Sequence, residues 1–210
     1  MGNNASFKLY YFGFRFRGEV IRLVFTAAGK EFEDVRIDPS QWPQLKNQAP
    51  FGTLPYLEVT SGSQKLVLTQ STSIARYLAK KFKLAGRNDE EAAIVDMYAD
   101  QVSDVLAEFA KTARESDANK KKEIEQKIEN EIMPKNLKLF EARIAESRSG
   151  YLVPSGLTWA DLYLFNLLEM LGEKRVMVLE AFPNLKGLDQ KIRNNPRMAA
   201  YLAKRPITPF

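Results

Sequence analysis

Strand patterns and helix patterns are unevenly distributed along these 210 residues, and this division constrains the fold more than any other feature. Before residue 83, short runs rich in β-branched and aromatic residues alternate with segments of helical period. From Asp89 onward, apolar residues recur at helical spacing. The sequence therefore predicts an α/β domain over residues 1–82, a linker at 83–88 and an all-helical domain over residues 89–210.

The predicted element order of the first domain is β-α-β-α-β-β-α, around a mixed sheet. The patterns predict strands at Phe7–Phe12, Phe32–Ile37, Pro55–Val59 and Lys65–Leu68, and they place the first and last helices at Glu19–Ala28 and Ser71–Phe82. In the second domain we expect a helix over Glu123–Ser147 that bends near Pro134. A further helix should run from the capping-box pattern of Thr158–Asp161 to Leu171.

The chain contains no cysteine and no histidine, and this absence excludes several kinds of site. There is no disulfide, no thiolate nucleophile, no imidazole base and no ordinary zinc site, so we expect no metal. The acid–base group of an enzyme would therefore be Tyr, Asp, Glu or Lys, or would belong to the substrate. The formal net charge of +5 slightly favours an anionic small ligand and does not demand nucleic acid.

The sequence carries no clear targeting signal. No segment has the length of a membrane span or the apolar core of a signal peptide, so we expect a cytoplasmic protein without a membrane partner. Gly2 and Ser6 fit the loose pattern for N-myristoylation. Because that short pattern recurs by chance, we expect an unmodified chain.

Tyr10 and Tyr11 stand side by side at the end of the first predicted strand, followed by Arg15 and Arg17. Neighbouring residues of a strand point to opposite faces, so the two tyrosines cannot serve the same site. The spacing alone leaves open which of them does chemistry.

Two turns of the first domain are candidate contact points for a ligand. Leu54-Pro55 opens a strand, which fits a plain tight turn or a cis peptide bond that leaves the Leu54 backbone on an open edge. Gln70 and Ser71 begin a predicted helix, where the free N–H groups favour an anion. Simple capping by Ser71 explains the second pattern equally well.

Four acidic residues of the second domain follow one another at four-residue spacing: Asp96, Asp100, Asp104 and Glu108. This spacing stacks like charges on one helical face, which destabilises an isolated helix by about 0.2–0.5 kcal/mol per pair. Such a stripe is typical of a solvated face, and it would also suit a cation from a partner subunit or a ligand ammonium group.

Taken together, five stretches resemble the cytosolic glutathione transferases, most closely the sigma class, over nearly the whole chain. They are KLYYF, EFEDVRI with QWPQLK, PFGTLPYLEV, TQSTSIARYLAKKF and GLTWADLYL. The resemblance implies the glutathione transferase fold: a thioredoxin-like glutathione-binding domain followed by an all-helical domain that contributes the electrophile pocket. Where many sigma enzymes have RGRAE, this chain has Arg15-Phe16-Arg17-Gly18-Glu19, with a bulky residue in the turn.

The resemblance also implies roles for individual residues. Tyr11 would stabilise the thiolate of glutathione, which is a co-substrate and not a cofactor, and Tyr10 would pack on the opposite face. The Leu54–Pro55 bond would be cis. The glutathione-binding residues would be Tyr11, Arg17, Trp42, Lys46, Gly52, Thr53, Leu54, Pro55, Gln70, Ser71 and, across a homodimer interface, Asp104.

The function implied by this resemblance is conjugation of reduced glutathione to hydrophobic electrophiles. Two alternatives stay open, because some sigma members isomerise a prostaglandin endoperoxide and the S-crystallins of cephalopod lenses are structural proteins with little activity. A ligand-carrying role for hydrophobic compounds is compatible with each of these. The sequence does not identify the physiological electrophile.

Overall fold

The structure, a computed structural model, describes residues 5–208, and Gly2 of the myristoylation pattern lies outside them. The chain divides into two compact units. Within the described range, unit 1 contains residues 5–84 and 195–208, and unit 2 contains residues 85–194. The bounds of the predicted domains and linker stay predictions. None of the helices between residues 5 and 208 has the length and hydropathy needed to span a bilayer.

Unit 1 is built on a four-stranded mixed sheet, as predicted. The strands are β1 (Ser6–Phe12), β2 (Glu33–Ile37), β3 (Tyr56–Ser61) and β4 (Gln64–Thr69), in the spatial order β2-β1-β3-β4. β1 pairs in parallel with β2 and antiparallel with β3, and β4 completes an antiparallel hairpin with β3. The parallel pair requires a crossover, and the first helix supplies it.

The helices follow the strands in the predicted order, and the second part of the chain is helical throughout. In chain order they are α1 (Phe16–Ala28), α2 (Trp42–Leu45), α3 (Ser71–Phe82), α4 (Asp89–Arg114), α5 (Ala118–Lys127), α6 (Met133–Ser147), α7 (Trp159–Glu169), α8 (Arg175–Leu179), α9 (Pro183–Asn194) and α10 (Pro196–Lys204). Short 3₁₀ turns lie at Lys46–Gln48, Pro50–Gly52 and Gly172–Lys174.

The core of unit 1 lies between the sheet and the helices α1 and α3, which pack against each other. Alternate residues of β1, namely Phe7, Leu9 and Tyr11, are buried, as the period of a half-covered strand requires. α1 begins at Phe16, three residues before the predicted start at Glu19. The prediction was late because none of the usual capping residues precedes this helix, so the sequence gives no start signal there.

Unit 2 packs around α7, in which every residue from Trp159 to Leu168 is buried. Thr158 and Asp161 form the predicted capping box. The Asp161 carboxylate accepts hydrogen bonds from the Leu152 N–H (2.8 Å), the Thr158 N–H (2.7 Å) and the Thr158 hydroxyl (2.6 Å). Burial raises the pKa of Asp161 to about 6, and these hydrogen bonds oppose that rise.

The helix predicted over Glu123–Ser147 is interrupted, as expected, close to Pro134. α5 leads into a π-helical turn at Ile128–Ile132, and α6 follows directly with the proline in its first turn. Proline cannot donate a hydrogen bond to the preceding turn, so the helical ladder is irregular at this point. α7 ends at Glu169, two residues before the predicted end.

Candidate active site

The predicted glutathione residues of unit 1 lie around one end of its sheet. The strand register places Tyr10 opposite Tyr56, and Tyr56 opposite Thr69. Tyr10 near the end of β1, the first residue of β3 and the last residue of β4 therefore meet at the same end of the sheet. The candidate residues next to these pairs along the chain are Tyr11, Leu54, Pro55, Gln70 and Ser71.

Tyr11 points to the helix-covered face of the sheet, where it is 3% exposed. Its ring packs against the first turns of α1, close to Gly18. If Gly18 carried a Cβ atom, that atom would overlap Cδ1 of the Tyr11 ring and would lie 2.6 Å from its Cγ. Phe14 packs edge-on at 5.5 Å between ring centroids, and the Arg22 guanidinium lies 5.7 Å from the ring centroid. The close approach of Tyr11 to the backbone of α1 therefore requires glycine at position 18.

Tyr10 lies on the opposite face, as predicted. Its ring stacks on Tyr56 with 4.2 Å between centroids, and its hydroxyl donates to Glu58 at 3.5 Å. Burial raises the pKa of Tyr56 to about 12, with the neighbouring Tyr10 and Glu58 adding to the rise. Tyr10 therefore belongs to a cross-strand pair, and the two neighbouring tyrosines have separate surroundings.

A buried arginine holds the loop between β1 and α1, and the sequence reasoning missed it. Arg22 is fully buried and donates to the carbonyl groups at both ends of segment 12–14, at 3.0 and 2.9 Å. Arg36 donates to the middle carbonyl at 2.9 Å. Asp34 accepts from the Nε of both arginines, at 3.1 and 2.8 Å. The available signal was a single charged residue within the apolar run of α1.

The turn that carries Arg17 has an unusual backbone. Phe16 has φ of +33°, a value that residues other than glycine adopt rarely and at a cost of about 1–3 kcal/mol. The Arg17 guanidinium carbon lies 5.7 Å from the centroid of the Phe16 ring. The bulky residue noted in the sequence is therefore accommodated by a left-handed backbone, and its ring packs beside the candidate arginine.

The C-terminal residues of unit 1 are bound to the same turn. Glu19, 1% exposed, accepts hydrogen bonds from Arg205 at 2.8 Å and from the Tyr201 hydroxyl at 3.1 Å. Burial, followed by the proximity of Glu19, raises the pKa of Tyr201. Arg15 donates to the Thr208 carbonyl at 3.1 Å. Residues 201–208 therefore help to fix the start of α1.

The loop after β2 carries the candidates Trp42 and Lys46. Trp42 is half-buried at the start of α2 and packs edge-on against Phe12, with 5.9 Å between ring centroids. Lys46 is exposed, and its side chain passes close to Gly52. A Cβ atom placed on Gly52 would lie 3.7 Å from the Lys46 Cε. The structure therefore brings Trp42 to the end of β1 and Lys46 to the turn that precedes β3.

The turn before β3 contains the remaining candidates. The Leu54–Pro55 peptide bond is cis, as predicted. Thr53, in an extended conformation, is exposed, and Leu54 is half-buried. The Thr69 hydroxyl donates to the Pro55 carbonyl at 3.5 Å, which ties this turn to the end of β4.

The start of α3 departs from ordinary capping. Gln70, exposed, is the N-cap residue with φ of +71° and ψ of +116°, and Ser71 is the first helical residue, 4% exposed. Capping by Ser71 is therefore the wrong alternative. Within residues 5–208 no side chain caps this helix. The N–H groups of its first turn remain available to an acceptor.

The acidic stripe lies on α4 in unit 2. Asp104 is exposed, and in the described part of the chain its carboxylate has neither an ion-pair nor a hydrogen-bond partner. Asp96 and Asp100 each take part in an interaction within the chain. Glu108 is paired with Lys111 at 2.6 Å. Asp104 is thus the stripe member with a carboxylate open to an external cation.

Both parts of the chain match models of one family. Residues 7–80 match the glutathione S-transferase N-terminal domain, and residues 103–205 match the glutathione S-transferase C-terminal domain. A Caenorhabditis elegans protein named probable glutathione S-transferase 6 is 37% identical over 209 residues, covering 98% of this chain and 100% of that protein. The chain belongs to the glutathione S-transferase family, and it is an enzyme of that family.

Other similar proteins are a prostaglandin synthase and two solved transferases. The hematopoietic prostaglandin D synthase of Gallus gallus is 32% identical, with 97% of this chain and 98% of that protein covered. The solved sigma class transferase of Fasciola hepatica has a TM-score of 0.87 at 33% identity, over 98% and 99% of the two chains. The solved structure of a monomeric transferase of Necator americanus has a TM-score of 0.82 at 38% identity, over 98% and 100% of the two chains.

Proposed function

We propose that this protein conjugates the thiol of reduced glutathione to hydrophobic electrophiles and that the Tyr11 hydroxyl stabilises the thiolate. A free thiol has a pKa near ~8.5, so a catalyst working at neutral pH must lower it. Lowering it by about 2 units requires roughly 2.7 kcal/mol, which is within the range of one strong charge-assisted hydrogen bond with some help from its surroundings. The observation that carries the proposal is the fixed position of Tyr11 at the sheet end around which the other candidates lie.

The remaining candidates would hold the tripeptide. The Leu54 backbone would pair with the cysteinyl residue of glutathione, as an added strand does. Gln70 and Ser71 would hold the γ-glutamyl carboxylate, and the uncapped first turn of α3 supports this role.

Trp42 and Lys46 would bracket the glycyl end. Gly52, Thr53 and Pro55 would shape the turn, and Arg17 would lie near the thiol and the electrophile.

The neighbouring tyrosines provide a matched test of this mechanism. The pKa of enzyme-bound glutathione, read from thiolate absorbance, should rise by about 2 units in Tyr11→Phe and should hardly change in Tyr10→Phe. Conjugating activity should follow the thiolate fraction. A raised pKa in Tyr10→Phe together with an unchanged pKa in Tyr11→Phe would reverse the assignment.

We also infer a sigma-class homodimer in which Asp104 of one subunit contacts the γ-glutamyl ammonium bound to the other. Exposed apolar side chains on unit 1 support an interface: Phe51 is 80% exposed, and the edge strand β4 exposes Leu66 (43%) on one face and Val67 (40%) on the other. The 3₁₀ turn that contains Phe51 contacts β4, so these side chains belong to neighbouring segments. Exposed apolar patches of this kind mark association surfaces.

The dimer proposal has its own test. A charge-assisted contact contributes about 1.5–3 kcal/mol, so Asp104→Asn should weaken glutathione binding roughly ten- to a hundredfold without unfolding the protein. Asp96→Asn should change it much less. Calorimetric titration would measure the affinity and light scattering the mass. A monomer with full affinity would end the proposal, and an effect at Asp100→Asn instead would move the role one helical turn along α4.

Isomerisation of a prostaglandin endoperoxide is a second candidate activity, favoured by the likeness to the Gallus gallus synthase. It would use the same activated thiolate, so Tyr11→Phe should lower both activities in parallel. Product analysis with the endoperoxide and with a panel of electrophiles would separate the two. Glutathione binding without turnover of the endoperoxide or of any electrophile would indicate a structural or ligand-carrying role, as in S-crystallins.

A cytoplasmic location stays a prediction.

A further inference from the structure

Unit 2 contains a cavity of about 500 Å³ that none of the predicted glutathione residues lines. Its walls come from the C-terminal end of α4, from the helical stretch that joins α5 to α6, and from residues 170–182. Apolar side chains dominate, among them Phe109, Ile128, Met133, Leu137, Met170 and Phe182. Small-molecule sites in proteins typically enclose about 300–1,000 Å³ with mostly apolar walls and a few polar groups. The volume and lining therefore fit a small apolar molecule.

One wall of the cavity is the π-helical turn at Ile128–Ile132, which contributes Ile128 and Glu129. A π turn takes more residues per turn than an α-helix and forms fewer regular hydrogen bonds, and such turns occur frequently at functional sites. Here the irregular turn precedes Pro134, which also lines the cavity. The wall of the cavity therefore includes the irregular part of this helical stretch.

The wall of this cavity contains a buried hydroxyl group. Thr112 lines it, and the Thr112 Oγ1 atom is buried without a hydrogen-bond partner in the portion of the chain that the structure describes. A helical threonine can bond back to a carbonyl one turn earlier, and this one does not. Buried polar atoms are nearly always paired, so an unpaired one lining a cavity indicates a missing partner.

Two of the three charged side chains that line the cavity neutralise each other. Lys174 and Glu129 both line it, and they form an ion pair at 2.5 Å. Glu125 adds one further acidic group. An anionic ligand would have to face this acid or break the ion pair, and a cation would have to leave water for mainly apolar walls. The surroundings therefore favour an uncharged ligand.

We propose that this cavity is a second ligand site, which binds uncharged aromatic molecules that place one hydrogen-bonding group against Thr112. The cavity shares no lining residue with the glutathione site proposed above, since its lining comes entirely from residues 109–182 of unit 2. The proposal does not depend on conjugating activity, since binding is measured without glutathione.

N-phenyl-1-naphthylamine is a suitable probe because it is uncharged, fluoresces in apolar surroundings and carries one N–H donor. Fluorescence titration should give saturable binding to one site per chain. α8 offers a matched pair of substitutions: Val178 lines the cavity, and Val176 is 64% exposed on the same helix and does not line it. Val178→Trp should weaken binding at least tenfold, and Val176→Trp should leave it within twofold.

Two further measurements distinguish this site from other apolar surfaces. Thr112→Val keeps the side-chain shape and removes the hydroxyl, so it should weaken probe binding roughly three- to tenfold. Saturating glutathione should leave probe binding unchanged. Equal effects of the two tryptophan variants, an unaffected Thr112→Val or displacement of the probe by glutathione would each overturn the proposal. Loss of conjugation in Tyr11→Phe with intact probe binding would separate the two sites.

Discussion

The start of α7 in unit 2 differs from the starts of α1 and α3 in unit 1. α7 in unit 2 begins with a complete capping box, and its buried carboxylate satisfies three donors. α1 and α3 in unit 1 begin without a side-chain cap, and each has a residue other than glycine at positive φ: Phe16 at +33° and Gln70 at +71°. Local chemistry stabilises the first kind of start and opposes the second. The departures lie beside the candidate glutathione residues, which is where strain is expected in a protein that is otherwise locally consistent.

The start of α1 is held by Arg22, from the middle of the same helix, and by groups that are distant in sequence. Arg22 and Arg36 bind the three carbonyl groups of segment 12–14, and Glu19 in the first turns of α1 accepts hydrogen bonds from Arg205 and Tyr201. Hydrogen bonds to charged groups contribute about 1.5–3 kcal/mol each when buried, enough together to offset a residue at positive φ. The two kinds of start therefore differ in where their stabilisation comes from: neighbouring residues for α7 and the surrounding fold for α1.

The largest expected effect on the free energy of unfolding is at the capped start of α7. Asp161→Ala would leave the Leu152 and Thr158 N–H groups buried without an acceptor, so it should lower the free energy of unfolding by about 3 kcal/mol. Asn88 caps α4 at an exposed position, and Asn88→Ala should lower it by about 1 kcal/mol. Urea denaturation of both variants measures the difference. Equal decreases in the free energy of unfolding would mean that burial does not increase the stabilisation by the capping box.

What could be predicted from the sequence follows the same division. The capping box and the opposite facing of Tyr10 and Tyr11 depend on neighbouring residues, and both were predicted correctly. The early start of α1 depends on tertiary contacts that no local pattern encodes, and the neighbouring residues give no signal for the positive φ of Phe16 and Gln70. The Arg22 network joins residues from β1, α1 and β2, so spacing alone could not reveal it.

The next effect concerns the close packing of Tyr11 on α1. A methyl group at Gly18 would overlap the Tyr11 ring, so Gly18→Ala should displace that ring. We expect conjugating activity to fall at least tenfold and the free energy of unfolding to fall by about 1–3 kcal/mol, as for an overpacked core. Steady-state kinetics and urea denaturation measure the two quantities.

Gly187, in the middle of α9, is the matched control for that substitution. A Cβ at this position would meet nothing within 4 Å. Gly187→Ala should therefore raise the free energy of unfolding by about 0.5–1 kcal/mol and leave activity unchanged, since alanine restricts the unfolded chain and favours a helix. Full activity in Gly18→Ala would show that the ring has room to move without consequence for the thiolate.

The smallest expected effect on stability is at the start of α3, where strain and ligand binding should separate. Gln70→Gly should relieve the strain of positive φ, which raises the free energy of unfolding by about 1 kcal/mol. The greater flexibility of glycine in the unfolded chain lowers it by about 1 kcal/mol. Because the two contributions oppose each other, the net change should be less than about 0.5 kcal/mol. Loss of the side-chain amide should weaken glutathione binding about tenfold, as for one hydrogen bond to a charged group. Lys83, at φ of +61° just after α3, is the control: Lys83→Gly should leave affinity unchanged. Calorimetry that finds equal glutathione affinity in both variants would mean that the unusual backbone of Gln70 serves the fold alone.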